Sequence, residues 1–121
     1  MNHRPARSRF VCLGVGVLGL CIAAATTSAG ADESRSRLSP LALQKHCDEC
    51  HAVDATRIGP PFIAVAIRHR AEGDAAVEPL AQKIIHGGAG NWGDIPMIPN
   101  ERVTLEEARA LARWILSLES G

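Results

Sequence analysis

Five consecutive residues, Cys47-Asp48-Glu49-Cys50-His51, concentrate the reactive chemistry of this 121-residue chain. Two thiols at this spacing share one helical turn. Each can add to one of the two vinyl groups of a single porphyrin, leaving two thioether bonds. The next residue, His51, then lies beneath the metal and offers an imidazole nitrogen as an axial ligand. C-x-x-C-H is the attachment signature of c-type haem. Three other chemistries use part of the pattern. A structural zinc site takes about four ligands, and the chain beyond residue 31 has no second cysteine pair. A thioredoxin-like dithiol needs a βαβ setting, and no segment alternates like a strand. A plain disulfide would close only a tiny loop and leave His51 without a role. The expected cofactor is one haem c, covalent through Cys47 and Cys50.

A second axial ligand has to come from elsewhere. Apart from the initiator, Met97 is the only methionine, in Ile95-Pro96-Met97-Ile98-Pro99-Asn100. Methionine is commonly an adaptable core filler. Here prolines on both sides fix φ and prevent helix, which holds one side chain on an extended backbone and presents its sulfur. A thioether opposite an imidazole raises the reduction potential of iron and suits an electron carrier. The competitor is a second histidine: His46, His69 or His86, with His86 favoured near a helix C-terminus. The expected metal ligands are His51 and Met97.

These groups must be positioned by the chain beyond residue 31. Residues 1–31 hold Arg4, Arg7 and Arg9, a charge-free run from Phe10 to Ala25, and the small-residue sequence Ala29-Gly30-Ala31. That is a secretory signal pattern, with cleavage expected after Ala31 or after Ala29. An uncleaved anchor would need about 20 apolar residues. A lipid-modified Cys21 would need a residue smaller than Leu20 before it. Cleavage removes Cys12 and Cys21, and leaves Cys47 and Cys50 in an oxidising compartment.

The zero net charge is an average over unlike regions. Residues 32–121 carry all 13 acids against 10 Lys and Arg, a net charge of −3, which argues against a basic nucleic-acid-binding surface. Phe62, Trp92 and Trp114 are their only aromatics, with no tyrosine. So small a core is marginal by itself, and something bulky and apolar is missing from the sequence.

The element pattern is helical. Residues 32–39 read as a flexible polar start. Ser39-Pro40 opens a helix to about Asp48. Gly59-Pro60-Pro61 is a break, and Phe62 to Ala71 is helical. A third helix runs to His86, with Pro79 in its first turn and Gly87-Gly88 at its end. Ala89 to Arg102 is a constrained loop rich in Gly and Pro. Thr104-x-x-Glu107 is a capping box opening the last helix, whose apolar stripe includes Leu105, Ala108, Leu111, Ala112, Ile115 and Leu118. The expected fold is all-α, one domain of about four helices, with a long loop of the kind that carries function.

Together these residues resemble the small bacterial class I cytochromes c, the cytochrome c-551-like group. The resemblance covers nearly all of residues 40–118. Its parts stand in family order: Cys47-x-x-Cys50-His51, Ile58-Gly59-Pro60, Leu80 to Ile84, Trp92-Gly93-x-Ile95-Pro96-Met97-x-Pro99-Asn100, and Ala112-Arg113-Trp114. The Trp-Gly to Pro-Asn segment is the more specific part, since C-x-x-C-H is shared by many cytochromes. The resemblance implies helices wrapped around one covalently attached haem, which supplies the missing core.

Roles carry over with it. Pro60 matches the proline whose carbonyl accepts the imidazole N–H of His51. Trp92 matches a residue that donates to a haem propionate. Asn100 matches a residue that bonds the surroundings of the ligand methionine. Lys83 matches a position where relatives can carry a propionate-binding Arg, without that fork geometry. Ile98 departs from the commoner proline between Met97 and Pro99. Leu43 and Trp114 match a contact between first and last helices. The division implied is 1–31 signal, 32–39 flexible, 40–121 monohaem domain.

The function implied is a periplasmic carrier of single electrons, not an enzyme, because two axial ligands leave no open site. Its partners would be redox proteins met briefly as donor and acceptor, with no nucleic acid, no stable membrane insertion and a monomeric state. Alternatives are a haem subunit of a larger periplasmic oxidoreductase complex, or a ligand-sensing haem in which Met97 is labile.

Overall fold

The computed structural model describes residues 29–118. The expected signal peptide falls almost wholly on residues 1–28, outside the described residues. The described chain is all-α. Its helices are α1 (Ala29–Ser36), α2 (Pro40–Gln44), α3 (Phe62–His69), α4 (Val77–His86) and α5 (Leu105–Leu116). Two 3-10 turns, Cys47–Glu49 and Gly73–Ala76, stand before the attachment histidine and before α4.

Two elements differ from the sequence expectation. Residues 32–39, read as a flexible start, are helical as far as Ser36, because their polar side chains find tertiary partners: Ser34 and Arg37 bond Asp54, and Arg35 pairs with Asp48. The helix expected to reach Asp48 stops at Gln44. The Ser39 hydroxyl accepts the Ala42 N–H at 3.0 Å and Pro40 occupies the first helical position, so its start is as read. Its end is set at His46, which takes a left-handed conformation with φ 60°. The thiols therefore lie on a tight turn redirected from α2, closed by the His51 N–H donating to the Cys47 carbonyl at 2.9 Å.

A left-handed residue bearing a β-carbon costs about 1–2 kcal/mol, and glycine returns some of that gain as lost chain entropy. His46 is exposed, and it pairs with exposed Glu49 at 3.3 Å, a contact of little worth. His46→Gly is expected to stabilise the protein by about 0.5–1 kcal/mol, read as a higher denaturation midpoint with an unchanged slope.

α5 is the scaffold. Its Thr104–Glu107 capping box is complete, at 3.2 and 2.9 Å, and Lys45 from the end of α2 reaches Glu107 at 2.9 Å. α4 lies along it, and α3 and α2 pack across it. Ala81, Ala108 and Ala112 are fully buried, which brings the helix backbones close. Leu38, Val53, Phe62, Val65, Ile84, Val103, Leu111 and Ile115 complete the core, with Leu43 and Trp114 half-buried against it. Phe62 meets Trp114 edge-on at 5.0 Å. Among the described residues the one β feature is an isolated antiparallel bridge, Gly88 to Met97. No helix among them is long and apolar enough to cross a membrane.

Candidate functional site

The attachment turn is tied to the start of α3. The Phe62 and Ile63 N–H groups donate to the Ala52 and Val53 carbonyls at 2.9 Å each, and the Gly59 N–H donates to the Cys50 carbonyl at 2.8 Å. This folds Ile58-Gly59-Pro60 back over His51. The Pro60 carbonyl lies 2.8 Å from His51 Nδ1. A carbonyl can only accept, so Nδ1 carries the proton, and in the neutral ring Nε2 keeps its lone pair for a metal. Burial pushes His51 below the usual imidazole range, with the Pro60 contact opposing, so the ring is neutral at pH 7. Phe62 stacks on it at 4.9 Å, 23° from parallel, and fixes its plane.

Gly59 is required by that packing. A β-carbon there would lie 2.7 and 2.9 Å from the two ring nitrogens. Gly59→Ala must displace the imidazole, and overpacking of this kind costs about 1–3 kcal/mol. The expected outcome is a denaturation midpoint lowered by that amount, with shifted ring resonances of His51.

Cys47 and Cys50 are free, half-buried thiols. Burial first, and then the carboxylate of Asp48, push the Cys47 thiol up to about 11. A redox-active or zinc-binding cysteine is one whose thiolate is favoured, and this one is the reverse. Among the described residues no three His, Cys, Asp or Glu side chains gather to hold a metal ion. The donor set fits a haem: two free thiols for the vinyl groups and one oriented imidazole next in sequence.

Met97 lies on the loop after α4. Its N–H donates to the Gly88 carbonyl at 3.0 Å and its carbonyl accepts the Gly88 N–H at 2.9 Å. Gly87 (φ 66°) ends α4, and a β-carbon there would stand 2.9 Å from Ile98 C and Pro99 N. Gly87, read as a helix terminator, therefore also admits the methionine segment. The Met97 side chain is half-buried against the core. The competing histidines have surface partners: His86 with Gln82 at 3.1 Å, His69 with Glu72 at 3.0 Å and His46 with Glu49.

The other expected site residues are arranged less uniformly. The Lys83 amine reaches the same bridge, 3.0 Å from where a Gly88 β-carbon would be. Asn100 donates to the Lys45 carbonyl at 3.1 Å and accepts the Arg102 N–H at 3.1 Å, tying the methionine loop to the end of α2. One of its side-chain bonds is thus to the backbone just before the attachment turn and the other is within its own loop. Trp92 is 45% exposed, so it is not a core aromatic. Arg68 of α3 holds it, with the guanidinium 4.9 Å over the indole and a 2.6 Å bond to the Asn91 carbonyl. Arg68 escapes sequence reading, since nothing in the spacing links it to Trp92.

The cytochrome c family model matches residues 39–119. A cytochrome c-551 of Allochromatium vinosum is 44% identical over 79 residues, 64% of this chain and 82% of the relative. A cytochrome c-552 of Hydrogenobacter thermophilus is 47% identical over 79 residues, 65% of this chain and 79% of the relative. The crystal structure of Nitrosomonas europaea cytochrome c552 superposes with a TM-score of 0.62 at 43% identity, covering 65% of this chain and 96% of that one. Both thiols, His51 and Met97 fall inside the matched stretch. The chain belongs to the cytochrome c family, among its small class I members, which carry electrons rather than catalyse reactions.

Proposed function

We propose that this chain is a periplasmic electron carrier holding one haem c through thioethers at Cys47 and Cys50, with His51 and Met97 as axial ligands. The observation that carries the reading is the His51 ring, fixed between the Pro60 carbonyl and Phe62 with Nε2 left as its donor. When bound, the haem supplies one-electron exchange between ferric and ferrous iron. The chain's residues do the rest. His51 is held neutral and oriented. Met97 is offered on a backbone pinned at Gly88. Lys83, next to that bridge, and Trp92, with its indole N–H, are the propionate partners. Asn100 braces the methionine loop. With both axial positions filled, no site is left for oxygen or peroxide, which favours a carrier over a sensor.

Ile58, Ile95 and Ile98 are exposed on the segments flanking Pro60 and Met97, at 60–72%. Exposed apolar side chains there suit brief, small interfaces with redox partners. The net charge of −3 after residue 31 permits a weakly basic partner. Residues 1–31 act as the export signal, removed before the carrier works.

The test is the exported protein itself. A pyridine haemochrome spectrum of one doubly thioether-linked haem and a reversible one-electron titration are expected, with mass spectrometry showing the chain without residues 1–31. A chain without haem overturns the carrier, and retention of Met1 overturns export by cleavage.

A further inference from the structure

We infer that Ser34–Leu38 form a strap over the attachment turn, and that Arg35 is a positioning residue that holds and neutralises Asp48 between the two cysteines. The inference rests on the proposed haem attachment. The strap lies outside the residues matched by the family model, 39–119. Its contacts begin at Ser34, after both expected cleavage positions, so the exported protein retains them.

Three polar ties and one apolar anchor make the strap. Arg35 Nη2 lies 3.0 Å from Asp48 Oδ2. Ser34 Oγ donates to Asp54 Oδ1 at 2.8 Å, and Arg37 Nη1 reaches Asp54 Oδ2 at 3.2 Å. Leu38 is buried in the core and fixes the far end. Asp54 directly follows Val53, whose carbonyl caps the start of α3, so the strap grips the turn on both sides of His51. Asp32, Ser34, Arg35, His51, Asp54 and Arg57 line an open cleft between strap and turn. Arg57 also donates to the Asp48 carbonyl, which leaves Arg35 as the cation on the Asp48 carboxylate.

The pair is asymmetric. The Asp48 side chain is 13% exposed and that of Arg35 is 65% exposed. A sheltered carboxylate that loses its cation keeps an uncompensated charge. That charge is felt at the attachment atoms, since Asp48 already acts on the Cys47 thiol. Unpaired negative charge beside a redox centre favours the more positive, ferric state. Arg35 therefore holds the potential up, and its loss also costs stability, since Asp48 stays behind as a sheltered, unpaired charge.

The test uses the haem-loaded full chain. Arg35→Gln is expected to lower the midpoint potential, raising the ferric-to-ferrous ratio several-fold at a fixed applied potential, and to lower the thermal midpoint as well. Arg35→Lys should restore most of the shift. In an Asp48→Asn background, Arg35→Gln should no longer move the potential. Deleting 32–37, with the signal and Leu38 kept, should act like Arg35→Gln. An unmoved potential in haem-loaded Arg35→Gln, or a shift that persists undiminished with Asp48→Asn, overturns the strap alone. Failure of the unmodified chain to carry haem overturns the functional reading and the strap with it.

Discussion

Met97→Ala is expected to lower the midpoint potential by on the order of 0.1–0.3 V, within the roughly 0.8 V that axial ligation spans. Two further changes should accompany it: loss of the near-infrared charge-transfer band of a methionine–iron bond, and binding of carbon monoxide by the reduced protein at neutral pH. The size reflects the contacts that the substitution leaves standing. The Gly88–Met97 bridge is made by backbone atoms, so alanine keeps the loop closed and removes the sulfur alone. Pro96 and Pro99 still hold the segment extended. Truncating a buried methionine costs about 2–5 kcal/mol, and a half-buried one falls at the lower end. The variant should thus remain folded enough to be measured. Met97→His is the companion, expected to give a bis-imidazole spectrum with a low potential. If the band survives in Met97→Ala and carbon monoxide stays unbound, the ligand is another side chain. His86 would be next to replace, although its present partner is Gln82.

How legible each element was depends on how local its cause is. The capping box at Thr104, the Ser39 cap, the glycine stop at Gly87 and Pro79 in the first turn of α4 are settled within four or five residues, and all are where the pattern put them. The end of α2 is different. Nothing in Gln44-Lys45-His46 breaks a helix by propensity, and the left-handed step at His46 occurs where glycine would be the usual choice. The start of the chain was illegible for a related reason. Asp32 to Ser36 has no apolar stripe, and its helix is held by polar contacts to residues about 13–20 positions further on. Within the site, Cys47, Cys50 and His51 are legible from spacing, and the Pro60 contact from resemblance. The Arg68–Trp92 stack is legible from neither, because it joins two elements whose meeting is a tertiary fact.

The haem-free chain, made as Cys47→Ser with Cys50→Ser and no haem supplied, is expected to lose its cooperative thermal transition. Far-ultraviolet circular dichroism should keep a helical component while the near-ultraviolet signal of Trp92 and Trp114 collapses. The reason lies in the composition of the core. Six of its fifteen buried apolar residues are alanines, and Phe62 is its one buried aromatic. Alanines let α4 and α5 approach closely but remove little apolar area from water, at about 25 cal/mol per Å². His51 and Phe62 form a stacked pair, and Ile58, Ile95 and Ile98 remain exposed on the segments flanking Pro60 and Met97. With the proposed ligation, a porphyrin would add a large rigid apolar surface where the sequence is poor in one, and would link the attachment turn to the methionine loop. Helix contacts along α5 should survive without it as a loose bundle, since the capping box and the Lys45–Glu107 pair do not involve the site. A sharp transition within a few degrees of the loaded protein's would mean that the alanine-rich helix contacts suffice, and that the scarcity of aromatics has another cause.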